Sequence, residues 1–194
     1  MNLTTEHAPT LDSRVKRIRK LIANGLRDPE MRQVGLAVSA GDTWTLRNFA
    51  AKHNYRPLNL GGLREVQARD EPGELRNIYR FYKDNVRYVG DITGVDTFTS
   101  GRHTMFTMRA GDCDDECIAI GTLLAENGFG MIARAIAETG VRDAKGRPQI
   151  GHIYPVSLVP KFRPSAGIAL DATLPYGDIG TEANADRVVD YRLF

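Results

Sequence analysis

The segment MRAGDCDDECIAIGTLLAENGFG holds both cysteines of the chain, Cys113 and Cys117, at the acidic start of a run with helical spacing. Three chemistries are open to such a thiol: a metal site, a buried structural role, or a nucleophile at a helix N-terminus. Asp112 stands where an N-cap belongs, and Asp115 completes a capping-box spacing. Cys113 then falls in the first turn, where free N–H groups and aligned peptide dipoles favour the thiolate. The carboxylates of Asp112, Asp114 and Asp115 act in the opposite sense, because nearby negative charge disfavours ionising a thiol. A cation must offset them, and an imidazolium would serve.

Of the four histidines, His7 and His53 read as surface residues, and His103 lies in the loop before the cysteine. His152 opens the run HIYPVSLV, where a period of two puts His152, Tyr154, Val156 and Leu158 on one strand face. The next run, IALDAT, sets Asp171 in apolar surroundings, where a lone carboxylate is costly unless paired. Beside His152 on an antiparallel ladder, Asp171 would accept from the ring N–H and fix its tautomer. Cys113, His152 and Asp171 then read as nucleophile, base and orienter. The Cys113 backbone N–H is one expected oxyanion donor. The Tyr88 side chain is a second, weighed evenly against a plain core tyrosine.

The metal alternative would draw on Cys113, Cys117, His103 and an aspartate. Cys-x₃-Cys within one helix, without a second cysteine pair, is a poor match to tetrahedral ligation. GDCDD also lacks the alternating ligands of a calcium loop. No metal and no organic cofactor is expected. Cys117 shares a face with Ile120 and Leu124 and reads as core, and a buried structural role for Cys113 fits poorly with its acidic, capping context. Cβ atoms at i,i+4 are roughly 5–6 Å apart, too far for a relaxed disulfide. Both thiols are therefore expected to be reduced, in a cytosol-like compartment.

Several elements must hold these residues. Residues 10–27 carry Leu11, Val15, Ile18, Leu21, Ile22 and Leu26 at helical spacing, interleaved with Arg14, Lys16, Arg17, Arg19 and Lys20. This is a basic amphipathic helix whose charges read as a solvated face, with a docking surface as the alternative. Asp28 and Pro29 mark the start of a second helix, and DTWTLRNFAAKHN reads as a third, with Trp44 as a core anchor. Residues 56–72 are broken by Gly and Pro and read as a connection. ELRNIYRFYKDNVRYV puts Leu75, Ile78, Tyr79, Tyr82 and Val86 on one helical stripe. An irregular stretch, 90–110, leads into the cysteine motif, and three strands in antiparallel order follow it. The tail, GDIGTEANADRVVDYRLF, is weakly patterned and reads as a wrap or a partner contact.

VRYVGD, a loop, RAGDCDDECIAIGTLLAENGF, GHIYPVSLV and ALDATLPYG, in that order, resemble the transglutaminase-like cysteine peptidase superfamily over residues 74–177. The lead-in LIANGLRDPEMRQVGLAV resembles a subset met in phage and prophage proteins, extending the similarity to residues 10–90. The resemblance implies an α+β fold with a papain-like core, in which a helix bearing the cysteine packs on an antiparallel sheet. It implies Cys113, His152 and Asp171 as a triad, with Leu170 departing from the aromatic residue often found before the aspartate. The expected division is an N-terminal helical region, 1–73, a catalytic domain, 74–180, and a tail, 181–194. The expected function is thiol-dependent acyl transfer at an amide bond through a thioester, as a cysteine peptidase or amidase with transamidation as a variant. Its substrate would be a protein or a peptidoglycan peptide. A non-catalytic virion or assembly protein is the alternative, with the basic helix and the tail as docking surfaces.

The remaining composition excludes little else. Length, 194 residues, allows one main core, and a formal net charge of +2 does not call for nucleic acid or membrane as partner. No secretory pattern and no membrane-length apolar run is present, so a soluble protein is expected, cytoplasmic or host-cytoplasmic if phage-encoded, and virion-associated under the assembly reading.

Overall fold

The computed structural model describes residues 10–67, 69–90 and 97–194. His7, Asp91 of the VRYVGD block and positions 91–96 of the irregular stretch lie outside the described residues. Helix α5 (Cys113–Glu126) is buried along every residue from Cys113 to Leu124. Beyond its acidic first turn this stretch is apolar but for Thr122, whose hydroxyl donates to the Ile118 carbonyl, and this suits a helix enclosed on all sides. Helices α1 (Leu11–Gly25), α2 (Pro29–Ala40) and α4 (Glu71–Asn85) pack on it, as do β3 (Gly130–Glu138) and β4 (His152–Val159). At Gly121 a Cβ would meet Ile22 Cδ1 at 2.6 Å and Met131 Sδ at 2.8 Å, so glycine lets α1 and β3 close on the same helix.

Local chemistry explains the helix limits. Asp28 Oδ1 caps α2 through the N–H groups of Glu30 and Met31, and proline sits at the first turn. In α4 the expected stripe is the buried one: Leu75, Ile78, Tyr79, Tyr82 and Val86 are all in the core. The sheet is antiparallel in the order β5-β4-β3-β6, where β5 is Ala166–Ala169 and β6 is Ala185–Arg192. β3, β4 and β5 are the three strands read from the sequence. β6 is the tail, which forms an edge strand on β3, Ile136 opposite Val188. A short parallel pair, β1 (Arg87–Tyr88) with β2 (Ala110–Gly111), and a π-helical turn, His103–Met108, complete the mixed α+β architecture. That turn lies inside the stretch expected to be irregular. Among the described residues no helix is long and apolar enough to cross a membrane.

Three expectations are corrected. Trp44 is 74% exposed and anchors no core. Helix α3 (Thr43–Lys52) buries Leu46, Phe49 and Ala50, and Trp44, two residues before Leu46, is rotated about 200° away at helical pitch. His53 is half-buried, between the Phe49 and Tyr55 rings, with Nε2 3.1 Å from Glu30 Oε1. The basic face of α1 is only partly solvated. Arg17 lies over the Phe98 ring, Arg19 donates to the Arg192 carbonyl at 2.6 Å, and Arg14 turns inward.

Candidate functional site

The first turn of α5 holds four carboxyl groups within five residues, Asp112, Asp114, Asp115 and Glu116, and all are buried. Buried carboxyls need partners, and these four find them in four directions. Asp112 Oδ1 caps its own helix, accepting from the N–H groups of Asp114 and Asp115, both at 3.0 Å. Asp114 Oδ2 receives Arg14 Nη2 at 2.7 Å and Nε at 3.1 Å, a fork reaching across from α1. Of the expected capping box, the arm from the Asp115 N–H to Asp112 is present, and the Asp115 carboxylate reaches another segment. Its Oδ1 accepts from Thr99 N at 2.8 Å and Thr99 Oγ1 at 3.0 Å, tying down the segment before the π-helical turn. Glu116 Oε1 accepts from the Ala172 N–H, just beyond Asp171.

These contacts place Cys113 where the helix meets the sheet. Cys113 is 6% exposed, and the Ile153 backbone N–H, from the residue after His152, acts to favour its thiolate. Arg14 Nη2 lies 3.9 Å from Sγ. Burial first, then the Asp114 and Asp112 carboxylates, push the thiol up to about 12, against the pull of the Ile153 N–H and Arg14. The helix terminus therefore does not win alone, and at neutral pH the group rests as a thiol. The cation beside these acids is Arg14 in place of the expected imidazolium. Cys117, also a free thiol, is fully buried in the core.

His152 and Asp171 are in direct contact. Nε2 is 2.8 Å from Asp171 Oδ2, with 10% and 0% of the side chains exposed. β4 and β5 run antiparallel with Val156 opposite Ala169, so the chain leaving β5 brings Asp171 back beside the start of β4. Asp171 Oδ1 takes Thr173 Oγ1 at 2.6 Å and Thr173 N at 3.2 Å, which orients the carboxylate. With Nε2–H donating to Asp171, the lone pair of the ring is on Nδ1, which has no hydrogen-bond partner among the described residues. No hydrogen bond joins His152 to the Cys113 sulfur. Leu170, the residue before Asp171, is wholly buried.

Tyr88 is 55% exposed, which rules out the core-tyrosine reading. It pairs in register with Gly111, two residues before Cys113, and burial and the Cys113 and Asp112 charges raise its phenol. The hydroxyl therefore stays protonated as a donor at neutral pH. The Cys113 N–H is the first-turn donor that the Asp112 cap leaves unused, since the cap takes the two that follow. Among the described residues no group of three His, Cys, Asp or Glu side chains could hold a metal ion, and His103 is an exposed residue opening the π-helical turn.

Sequence reasoning missed Arg14 and Glu116. Arg14 sits 100 residues from its partner within a run of cations, and its signal was indirect: the acids at 112–116 required a cation from elsewhere. Glu116 read as one more acid of the first turn. Its burial is visible only once the segment after β5 covers it. No family model, curated protein or solved structure matches the chain.

Proposed function

We propose that the chain is a cysteine-dependent acyl transferase acting on amide bonds, a peptidase or amidase with a transglutaminase-like, papain-like core. The buried His152 Nε2–Asp171 Oδ2 contact of 2.8 Å, beside a cysteine at a helix N-terminus, carries this reading. Nothing in the fold requires an imidazole and a carboxylate to be desolvated together, and a well-packed apolar pair would be as stable or more so. A pair kept at that cost, in the tautomer that leaves Nδ1 basic, is suited to taking a proton.

Because Cys113 rests as a thiol, its proton leaves as the sulfur attacks. Nδ1 of His152 takes the proton, and Asp171 stabilises the imidazolium. The amide carbonyl carbon gains the C–S bond, and its oxygen becomes an oxyanion facing the Cys113 N–H and Tyr88 hydroxyl. His152 returns the proton to the amine as the C–N bond breaks, leaving a thioester. Water, deprotonated by His152, then releases a carboxylic acid and restores the thiol. An amine in place of water would give transamidation, but no feature of the site marks an amine subsite, so hydrolysis is favoured. The proposed substrates are a protein or a peptidoglycan peptide, with no metal or organic cofactor in the reaction and a cytoplasmic or host-cytoplasmic setting.

One observation favours a second reading, a non-catalytic virion or assembly protein: Cys113 is 6% exposed and its sulfur makes no hydrogen bond to His152. Alkylation of Cys113 by iodoacetamide across pH 6–11 separates the two. With His152 as base, the wild type reacts about 10²-fold or more faster than His152→Ala at neutral pH, within the range for general-base assistance. In His152→Ala the rate climbs about tenfold per pH unit toward the thiol's own high ionisation, and the two curves converge at alkaline pH. Equal rates at neutral pH would favour the assembly protein.

A further inference from the structure

Asp112 caps the helix, Asp114 pairs with Arg14 and Asp115 accepts from Thr99, whereas the Glu116 carboxyl turns to the segment after β5. It has zero exposure, and Oε2 makes no hydrogen bond among the described residues. Burial and the neighbouring Asp171 hold its carboxyl well above the usual range. A residue needed only to fill this space would be a leucine or methionine, which bury without an unmatched polar atom. The bond from Glu116 Oε1 to the Ala172 N–H is what a hydrocarbon could not provide.

That bond joins two parts of the site. Glu116 is one turn along α5 from Cys113, on the same face at i,i+3, and Ala172 follows Asp171 directly. The rest of the segment is fastened to α4: Lys83 Nζ donates to the carbonyls of Leu174 and Gly177, both at 2.8 Å, and Tyr79 donates to Gly177 at 2.9 Å. Those anchors hold the segment to α4, and the Glu116–Ala172 bond holds it to α5. We infer that Glu116 is a positioning residue that fixes, through the Ala172 N–H, the Asp171–His152 pair relative to the helix carrying Cys113. The catalytic consequence rests on the acyl-transfer reading above; the positioning itself does not.

The test compares full-length Glu116→Gln, which keeps an acceptor oxygen in a side chain of the same size, with Glu116→Met, which keeps the size and loses the acceptor. Two readouts are taken. One is the low-field proton resonance of His152 Nε2–H, the signature of its bond to Asp171. The other is kcat and KM for peptide hydrolysis. Glu116→Gln is expected to keep the resonance and stay within about threefold of wild-type kcat. Glu116→Met is expected to lose or broaden it and to lower kcat about 10–100-fold with KM little changed, the scale on which supporting partners act. Should Met prevent folding, Glu116→Asp, which withdraws the acceptor by one methylene, is held to the same expectation. A folded Met or Asp variant with an unchanged resonance and kcat overturns the inference, as does a Gln variant as impaired as Met. If the wild type hydrolyses nothing, the resonance decides alone: its loss in Met and retention in Gln support the positioning role while the acyl-transfer reading fails.

Discussion

Under the proposed acyl-transfer function, Cys113→Ala is expected to abolish amide hydrolysis, lowering kcat by about 10⁶-fold, the scale seen when a member of a nucleophile–base unit is removed. The magnitude follows from what is left. His152 and Asp171 remain, and so do the donors facing the oxyanion, but no atom stands between them to form the C–S bond. The fold should survive. Alanine is a good residue in a first helical turn, and the cap from Asp112 to the N–H groups of Asp114 and Asp115 does not involve the thiol. Circular dichroism is expected to overlay with wild type, so the loss reads as chemistry. Cys117→Ala, one turn inside the same helix and wholly buried, removes core packing and leaves hydrolysis within a few-fold of wild type wherever the protein folds.

Arg14→Met carries the largest expected effect on stability. The Asp114 side chain has no exposure and receives a two-pronged contact from Arg14 at 2.7 and 3.1 Å. Removing one partner of a buried ion pair typically costs about 3–5 kcal/mol, because the other charge is left in a poor environment. The urea midpoint should fall accordingly at unchanged slope. Arg14→Lys, which keeps the charge without the fork, should fall between. The double variant Arg14→Met, Asp114→Leu should recover much of the loss, since an apolar pair removes the stranded charge as well. A second consequence touches the thiol. Arg14 is among the groups that hold the Cys113 ionisation down, so its removal pushes the thiol higher still and slows alkylation at neutral pH.

Arg14 also shows where sequence reasoning stops. The helix that carries it was legible: Val15, Ile18 and Ile22 recur at helical spacing and are buried. Which of five interleaved cations turns inward was not, because the choice depends on how α1 lies against α5. The helix limits at Asp28 and Asp112 were legible because a capping side chain acts on its own backbone within three residues. The His152–Asp171 contact was legible for a different reason. A carboxylate in an apolar run demands a partner, and consecutive antiparallel strands bring their ends together.

The misses share a cause as well. Trp44 was judged by its size, and the helix phase set by Leu46, Phe49 and Ala50 turned it outward. The tail Ala185–Arg192 mixes charges with Val188, Val189 and Tyr191 without clean alternation, because it is an edge strand with both faces largely wet. The four acids around Cys113 looked like one electrostatic feature. In the fold they are four separate attachments, to the helix's own backbone, to α1, to the segment at Thr99 and to the segment after β5.

The most direct measurement is intact-protein mass spectrometry after brief mixing with p-nitrophenyl acetate and an acid quench. The expected result is a single acetyl adduct that maps to Cys113, forms at neutral pH in the wild type, is absent in Cys113→Ala and forms far more slowly in His152→Ala. An unmodified Cys113 in folded wild-type protein, or the same adduct yield in Cys113→Ala, would contradict a nucleophilic role for this thiol.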